Sequence, residues 1–199
     1  IDKFMDYKLF EENNDYFVVI DGVLLNTIEL KEKYKTSSLF ETLVAMYKIN
    51  GDRFIAELRG SFSGVFFDKK TDKKIVFTDH IGTKQIFWAI VEQELVFGSE
   101  INYLVQYYKC NKLPYHLSER SSYHLLTFGF MIEDNTIFKQ FKKLLPGHYI
   151  LVQNEKIEIK QYFILDNTPN YEQNEEEIIS NIDVLLKKAI RRAFDKDEI

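Results

Sequence analysis

The chain has 199 residues, 45% of them hydrophobic and 15% aromatic, enough apolar mass for one domain with a sizeable core, alone or with a short appendage. Lys and Arg total 26 against 31 Asp and Glu, and a net charge of -5 without a basic stripe argues against a nucleic-acid-binding surface. The single cysteine, Cys110, excludes a disulfide within the chain, and no run approaches the roughly 18 apolar residues of a spanning helix. A reducing, cytoplasmic setting without membrane contact is expected. The first residue is Ile1, with no Met and no basic-then-apolar leader, so a processed or partial chain is expected.

The turn-prone run from Glu11 to Asp15 precedes an apolar, β-rich stretch, Tyr16 to Ile20. This reads as a strand ending at Asp21-Gly22, with Tyr7 to Phe10 as its hairpin partner. Asn26-Thr27 caps a short amphipathic helix through Tyr34. Ser37 or Ser38 opens the next helix, which places Leu39, Leu43 and Met46-Tyr47 on one face. Asn50-Gly51-Asp52 ends that helix, Gly51 supplying a left-handed cap, and Arg53 to Leu58 reads as one more short turn. In Ser61 to Phe67, small and large residues alternate around Gly64, as in a central strand where something packs close to the backbone. Asp68 to Lys73 is a polar hairpin tip, and Lys74 to Phe77 returns from it. Asp79-His80-Ile81-Gly82 then reads as a polar turn, Gln85 to Ile90 as the strand leading back, and a further strand ends in Phe97-Gly98-Ser99-Glu100. Ser61 to Gly98 is thus expected to be a four-stranded meander.

Helices are expected from Glu100 to Lys109, with Cys110 at its end, and from about Ser118 through Leu126, followed by a bend at Gly129. Thr136 to Phe141, His148 to Gln153 and Lys156 to Phe163 read as strands, the last two joined at Asn154-Glu155. Asp166 to Tyr171 has the composition of a linker. Asn174, three residues before Glu177, opens a helix in the manner of a capping box. Its stripe of Ile178, Ile182, Leu185, Leu186, Ala189, Ile190 and Ala193 is expected to be covered by a following domain or by folding back on the first. The order of elements fits an α+β arrangement with helices covering antiparallel sheets.

Few residues suggest chemistry on their own. His80, His116, His124 and His148 show no metal-ligand spacing, Glu175-Glu176-Glu177 reads as a helix start, and there is no glycine-rich phosphate loop. Lys142-Lys143, Lys187-Lys188 and Arg191-Arg192 read as solvated faces. No catalytic residue and no metal ligand is predicted.

Six segments in register resemble one family. Ile20 to Asn26 resembles the Asn-Gly-Glu-Ile-Tyr-Asn motif of asparagine-synthetase-like proteins, and Ser38 to Leu43 their Ser-Asp-Thr-Glu-Val-Leu. Leu58 to Asp68 is similar to their Leu-x-Gly-Met-Phe-Ala-Phe-Ala-Leu-Trp-Asp strand. Asp79 to Phe87 is similar to their Asp-Arg/His-x-Gly-x-x-Pro-Leu-Tyr segment, and Phe97 to Ile101 to Phe-Ala-Ser-Glu-Leu. Thr127 to Val152 resembles their Ser-Phe-Gly-Tyr, Thr-Ile-Phe-Lys and Leu-Pro-Pro-Gly-His-Tyr run.

The resemblance implies an amino-terminal-nucleophile hydrolase fold, a four-layer αββα sandwich of two antiparallel sheets. It implies a glutaminase-like domain over 1–165, a linker over 166–173, and over 174–199 the first helix of an ATP-dependent synthetase domain, where ATP and Mg would bind. An active member would attack the glutamine amide with an amino-terminal Cys, using the free α-amine as base and backbone and Asn donors for the oxyanion. This chain departs from that pattern. The Asn position is Asp21, before Gly22; the Glu position is Val23; and the Asp that would hold the glutamine ammonium is Leu39. A degenerate glutamine pocket is therefore expected, with Asp79, Gly82, Glu100, Pro146 and Gly147 bearing fold. Asp79 would cap a turn, and Glu100 would occupy the first turn of a helix.

Three functions remain open at this point: the glutaminase-like part of an ATP-dependent amide ligase using glutamine, ammonia or an amine; an active glutaminase half whose Cys lies upstream; or a scaffold whose apolar helix docks a partner or a second copy.

Overall fold

The computed structural model describes residues 8–169 and 174–194. The six strands of the larger sheet come from three hairpins: β1 (Lys8–Glu12) with β2 (Tyr16–Leu24), β3 (Gly60–Asp68) with β4 (Lys73–Thr78), and β8 (His148–Gln153) with β9 (Lys156–Gln161). Their order is β1-β2-β3-β4-β8-β9, antiparallel throughout. The smaller sheet has the order β6-β5-β7, from β5 (Phe87–Val91), β6 (Glu94–Gly98) and the two-residue β7 (Lys142–Lys143).

Side-chain alternation sorts the layers. On β2, β3 and β4, the positions Val18, Ile20, Phe62, Phe66, Ile75 and Phe77 are buried against helices. Those helices are α1 (Thr27–Tyr34), α2 (Leu39–Asn50) and a 3-10 helix (Gly51–Glu57), contributing Leu30, Leu43, Met46, Phe54 and Ile55. The opposite face, through Val76 and Ile150, packs on Ile86 and Leu144 with Trp88 and Leu95 alongside. The smaller sheet's outer face, through Phe87 and Ala89, packs on Leu104 and Tyr108 of α3 (Ile101–Cys110). The result is helix, sheet, sheet, helix: the αββα sandwich. α4 (Glu119–Phe128) follows α3, and α5 (Glu175–Ala193) closes the described chain.

Local chemistry explains most boundaries. Ser38 forms a full capping box with Glu41, opening α2. Gly64 leaves no room for a side chain, since a Cβ would lie 2.5 Å from the Val19 carbonyl and 2.7 Å from the Phe77 ring. Asn174 caps α5 by accepting from the Glu177 N–H at 2.8 Å.

Several expectations are corrected. β2 does not stop at Asp21-Gly22 but pairs with β3 as far as Leu24. Gly22 permits this: at φ 129° a Cβ would sit 2.1 Å from the Ser61 carbonyl oxygen. Asn26 precedes α1 but does not cap it with its side chain, which instead donates to the Glu57 carbonyl (2.9 Å) and accepts from the Arg59 N–H (2.9 Å). Gly51 has positive φ (57°), but its ψ of −141° is not the left-handed helical cap. The four-strand meander is broken. β4 pairs with β3 and β8, and the chain crosses to the second sheet before β5, which starts at Phe87 rather than Gln85. Thr136 to Phe141 is not a strand. The Thr136 hydroxyl is 3.1 Å from the Phe138 carbonyl and 2.9 Å from that of Phe141 and also meets the Phe138 N–H, curling the segment. β9 ends at Gln161, and α3 begins one residue after Glu100, an N-cap whose side chain makes no capping bond. The expected linker from Asp166 lies partly outside the described residues, and residues 166–169 have no regular structure.

Candidate functional site

The expected pocket positions gather where β2, β3 and β4 end together. Asp21 lies opposite Ser63, and Val23 opposite Ser61. One residue out of phase with the core-facing Ile20, Asp21 points toward the second sheet. One of its carboxylate oxygens, Oδ1, is buried without a hydrogen-bond donor, and the Lys84 ammonium is 3.9 Å from it. That separation allows attraction without a hydrogen bond. Leu39 is elsewhere in character: it opens α2 and packs, partly buried, against the helix-side core together with Leu24.

Asp79 anchors the crossover between the sheets. It is fully buried, and its carboxylate accepts from the backbone N–H groups of Phe62 (3.2 Å), Ile81 (3.0 Å), Thr83 (3.0 Å) and Lys84 (3.4 Å) and from the Thr83 hydroxyl (2.5 Å). A carboxylate only accepts, so Thr83 spends its proton there, and the Ser61 hydroxyl, 2.6 Å away, must donate to Thr83. The Asp79 carbonyl accepts from the N–H groups of Gly82 (3.2 Å) and Gly147 (3.0 Å). Gly82 has φ 69°, and a Cβ there would lie 2.9 Å from Pro146 Cγ, so the crossover and the turn before β8 pack directly. Tyr162 donates to the Thr78 carbonyl at 2.7 Å, and burial foremost, then the Asp79 charge, pushes its pKa up.

His80 follows on the same turn. Its ring meets those of Tyr162 and Phe163 edge-on, at 5.3 and 4.7 Å between centroids. Arg59 Nη1 lies 3.1 Å from His80 Nε2 and also donates to the carbonyls of Ala56 and Leu58. A guanidinium can only donate, so this contact favours the neutral imidazole with Nε2 as acceptor. Burial, and secondly the Arg59 charge, hold its pKa below the usual histidine value. Glu100 is apart from this group, exposed before α3, and Cys110 is exposed at the end of that helix. Among the described residues no group of three His, Cys, Asp or Glu side chains could hold a metal ion, and no helix is long and apolar enough to cross a membrane.

Arg59, Ser61, Thr83 and Lys84 were not singled out by sequence reasoning. A Thr four residues after a buried turn Asp is a signal for the Asp79–Thr83 bond. The Asp21–Lys84 proximity joins residues 63 positions apart and leaves no local trace.

Two antiparallel sheets between helical layers define an αββα sandwich of the amino-terminal-nucleophile hydrolase type. Two solved structures share the fold: the glutamine phosphoribosylpyrophosphate amidotransferase from B. subtilis, with a TM-score of 0.51 and 16% identity over 82% of this chain and 33% of that one, and an allosteric regulatory enzyme of purine biosynthesis, with a TM-score of 0.52 and 15% identity over 83% and 32%. The chain belongs to the glutamine amidotransferase domain family, whose model matches residues 6–163. Within it, the chain is similar to asparagine synthetases and to fungal amidases. It is 26% identical to asparagine synthetase [glutamine-hydrolyzing] 2 of Bacillus subtilis, over 94% of this chain and 27% of that protein. It is 27% identical to the amidase chyE of Penicillium rubens, over 94% and 28%. The chain thus spans little more than a quarter of the length of these relatives.

Proposed function

We propose that this domain is the glutaminase-like part of an asparagine-synthetase-like, ATP-dependent amide ligase and that it has lost glutamine hydrolysis. The carrying observation is Asp21. At the position where the family places an oxyanion donor, it presents an acceptor-only carboxylate with one buried, donor-free oxygen. A developing oxyanion beside it would be repelled, not stabilised. Val23 and Leu39 add to this, because neither can pair with the ammonium of a glutamine substrate. Loss of such a desolvated charge pair weakens binding by about 2–5 kcal/mol. Ammonia or an amine is then the nitrogen source.

The apolar residues of α5 support a following synthetase domain in cis. Ile182, Leu185 and Leu186 are each more than half exposed. In this reading 166–173 is a linker and 174–199 opens the domain in which ATP and Mg bind, and the protein works in the cytoplasm. The test is ammonia release from saturating glutamine by the whole protein that carries this domain. No release above a glutamine-free control is expected. Sustained turnover would overturn the reading and restore an active glutaminase whose nucleophile lies upstream.

A further inference from the structure

We propose that the groove between α1 and α5 binds a small amphipathic anion, an apolar chain ending in a carboxylate or phosphate. The site goes beyond the ligase reading and does not rest on it. The groove is open on one side and offers about 1100 Å³, slightly more than the usual size of small-molecule pockets. Leu24 and Leu25, leaving β2, and Val184 of α5 give it apolar walls. Lys187, Lys188, Arg191 and Arg192 line it from α5, against the carboxylates of Glu29 and Glu32 from α1.

These charges are not equivalent. Arg192 grips Glu29 with two parallel bonds of 2.8 Å, which pins the two helices and fixes the groove's width. Lys187 is held by Asp183, one turn back on its own helix, at 2.7 Å. Lys188 and Arg191 form no ion pair among the described residues, although Lys188 is close enough to help lower the Glu29 pKa. Two cations are therefore left over at the edge of an apolar groove. Positive charge near the end of a helix also suits its dipole, but that role needs no apolar wall and no cavity. The combination matches a ligand with a greasy body and an anionic head.

The test is isothermal titration calorimetry of the 199-residue chain with octyl phosphate and octanoate, below their aggregation thresholds. Octyl glucoside serves as the neutral-headed chain; inorganic phosphate and acetate serve as heads alone. One-to-one saturable binding of at least one anionic chain is expected, at least tenfold tighter than octyl glucoside or the isolated heads. Preference between octyl phosphate and octanoate identifies the head. The Lys188→Gln/Arg191→Gln double variant should lose at least tenfold. Glu32→Gln should instead gain two- to threefold, a change misfolding cannot imitate. Absence of binding by both anions, equal binding of octyl glucoside, or an unchanged affinity in the double variant would overturn the proposal.

Discussion

Replacing Asp79 tests the central claim about the crossover. In Asp79→Ala the backbone N–H groups of Phe62, Ile81, Thr83 and Lys84 lose their side-chain acceptor, and so does the Thr83 hydroxyl. The site is fully buried on the Asp79 side, so water replaces the lost oxygens poorly. A stranded buried donor costs about 1–3 kcal/mol, but the 3.4 Å bond from Lys84 is weak and Thr83 is exposed enough to find water. Counting the Phe62 N–H as stranded, and those of Thr83 and Ile81, both on exposed residues, as partly rescued, gives a loss of about 3 kcal/mol. Asp79→Asn is milder. Its amide oxygen can take the Oδ2 position, where Phe62 and Thr83 converge, while its NH₂ group meets the Ile81 N–H donor to donor. About 2 kcal/mol is expected. At an m-value of about 2 kcal/mol/M in urea, the midpoints should fall by about 1.5 M and about 1 M. Asp21→Asn is the internal control: the same chemistry at a carboxylate with a donor-free oxygen should shift the midpoint by no more than about 0.2 M. Equal effects of Asp79→Asn and Asp21→Asn, or a loss under about 0.5 kcal/mol for Asp79→Ala, would refute the assignment of Asp79 as the hub.

Two further outcomes are expected. The His80 pKa is depressed in the folded state by burial and then by Arg59, so the unfolded chain takes up a proton near pH 6.5 that the folded chain still refuses. Stability contributed by His80 should be full above that pH, fall as the pH drops through it, and level off below the folded-state pKa; urea midpoints of the parent and His80→Gln between pH 5 and 8 should show the parent declining more steeply. Gly82→Ala must hold φ near 69° and push a methyl group against Pro146, whereas Gly129→Ala, at φ 77°, meets nothing within 4 Å. Thermal unfolding should show Gly82→Ala costing about 2 kcal/mol and Gly129→Ala about 1 kcal/mol.

What the sequence made legible follows the range of each interaction. Capping at Ser38, one of the two serines the pattern offers, capping at Asn174 and the turn at Asn154-Glu155 are set within a few residues, and they stand where pattern reading puts them. The sheet change at Asp79 to Ile86 was not legible, because a strand alternates in the same way whether its neighbour belongs to one sheet or another. Asn26 shows the same limit. As a polar residue before a helix it reads as a cap, yet its amide serves Glu57 and Arg59, 31 and 33 residues away, and closes the path from the 3-10 helix into β3. The site repeats the pattern. Asp21, Val23 and Leu39 could be picked out by resemblance, but not that Asp21 would face Lys84 or that Leu39 would pack on the core. In the proposed reading, the Asp79 hub accounts for a pocket that changes while the fold persists. The side-chain bonds that tie β3 to the crossover run through Asp79 and Thr83, and the turn before β8 joins through the Gly147 N–H; Asp21 and Val23 give β3 only the backbone pairing that any residue in those ladder positions supplies. Under that reading, substitutions at Asp21, Val23 and Leu39 alter what a glutamine pocket would recognise while the Asp79 bonds keep the sheet ends in place.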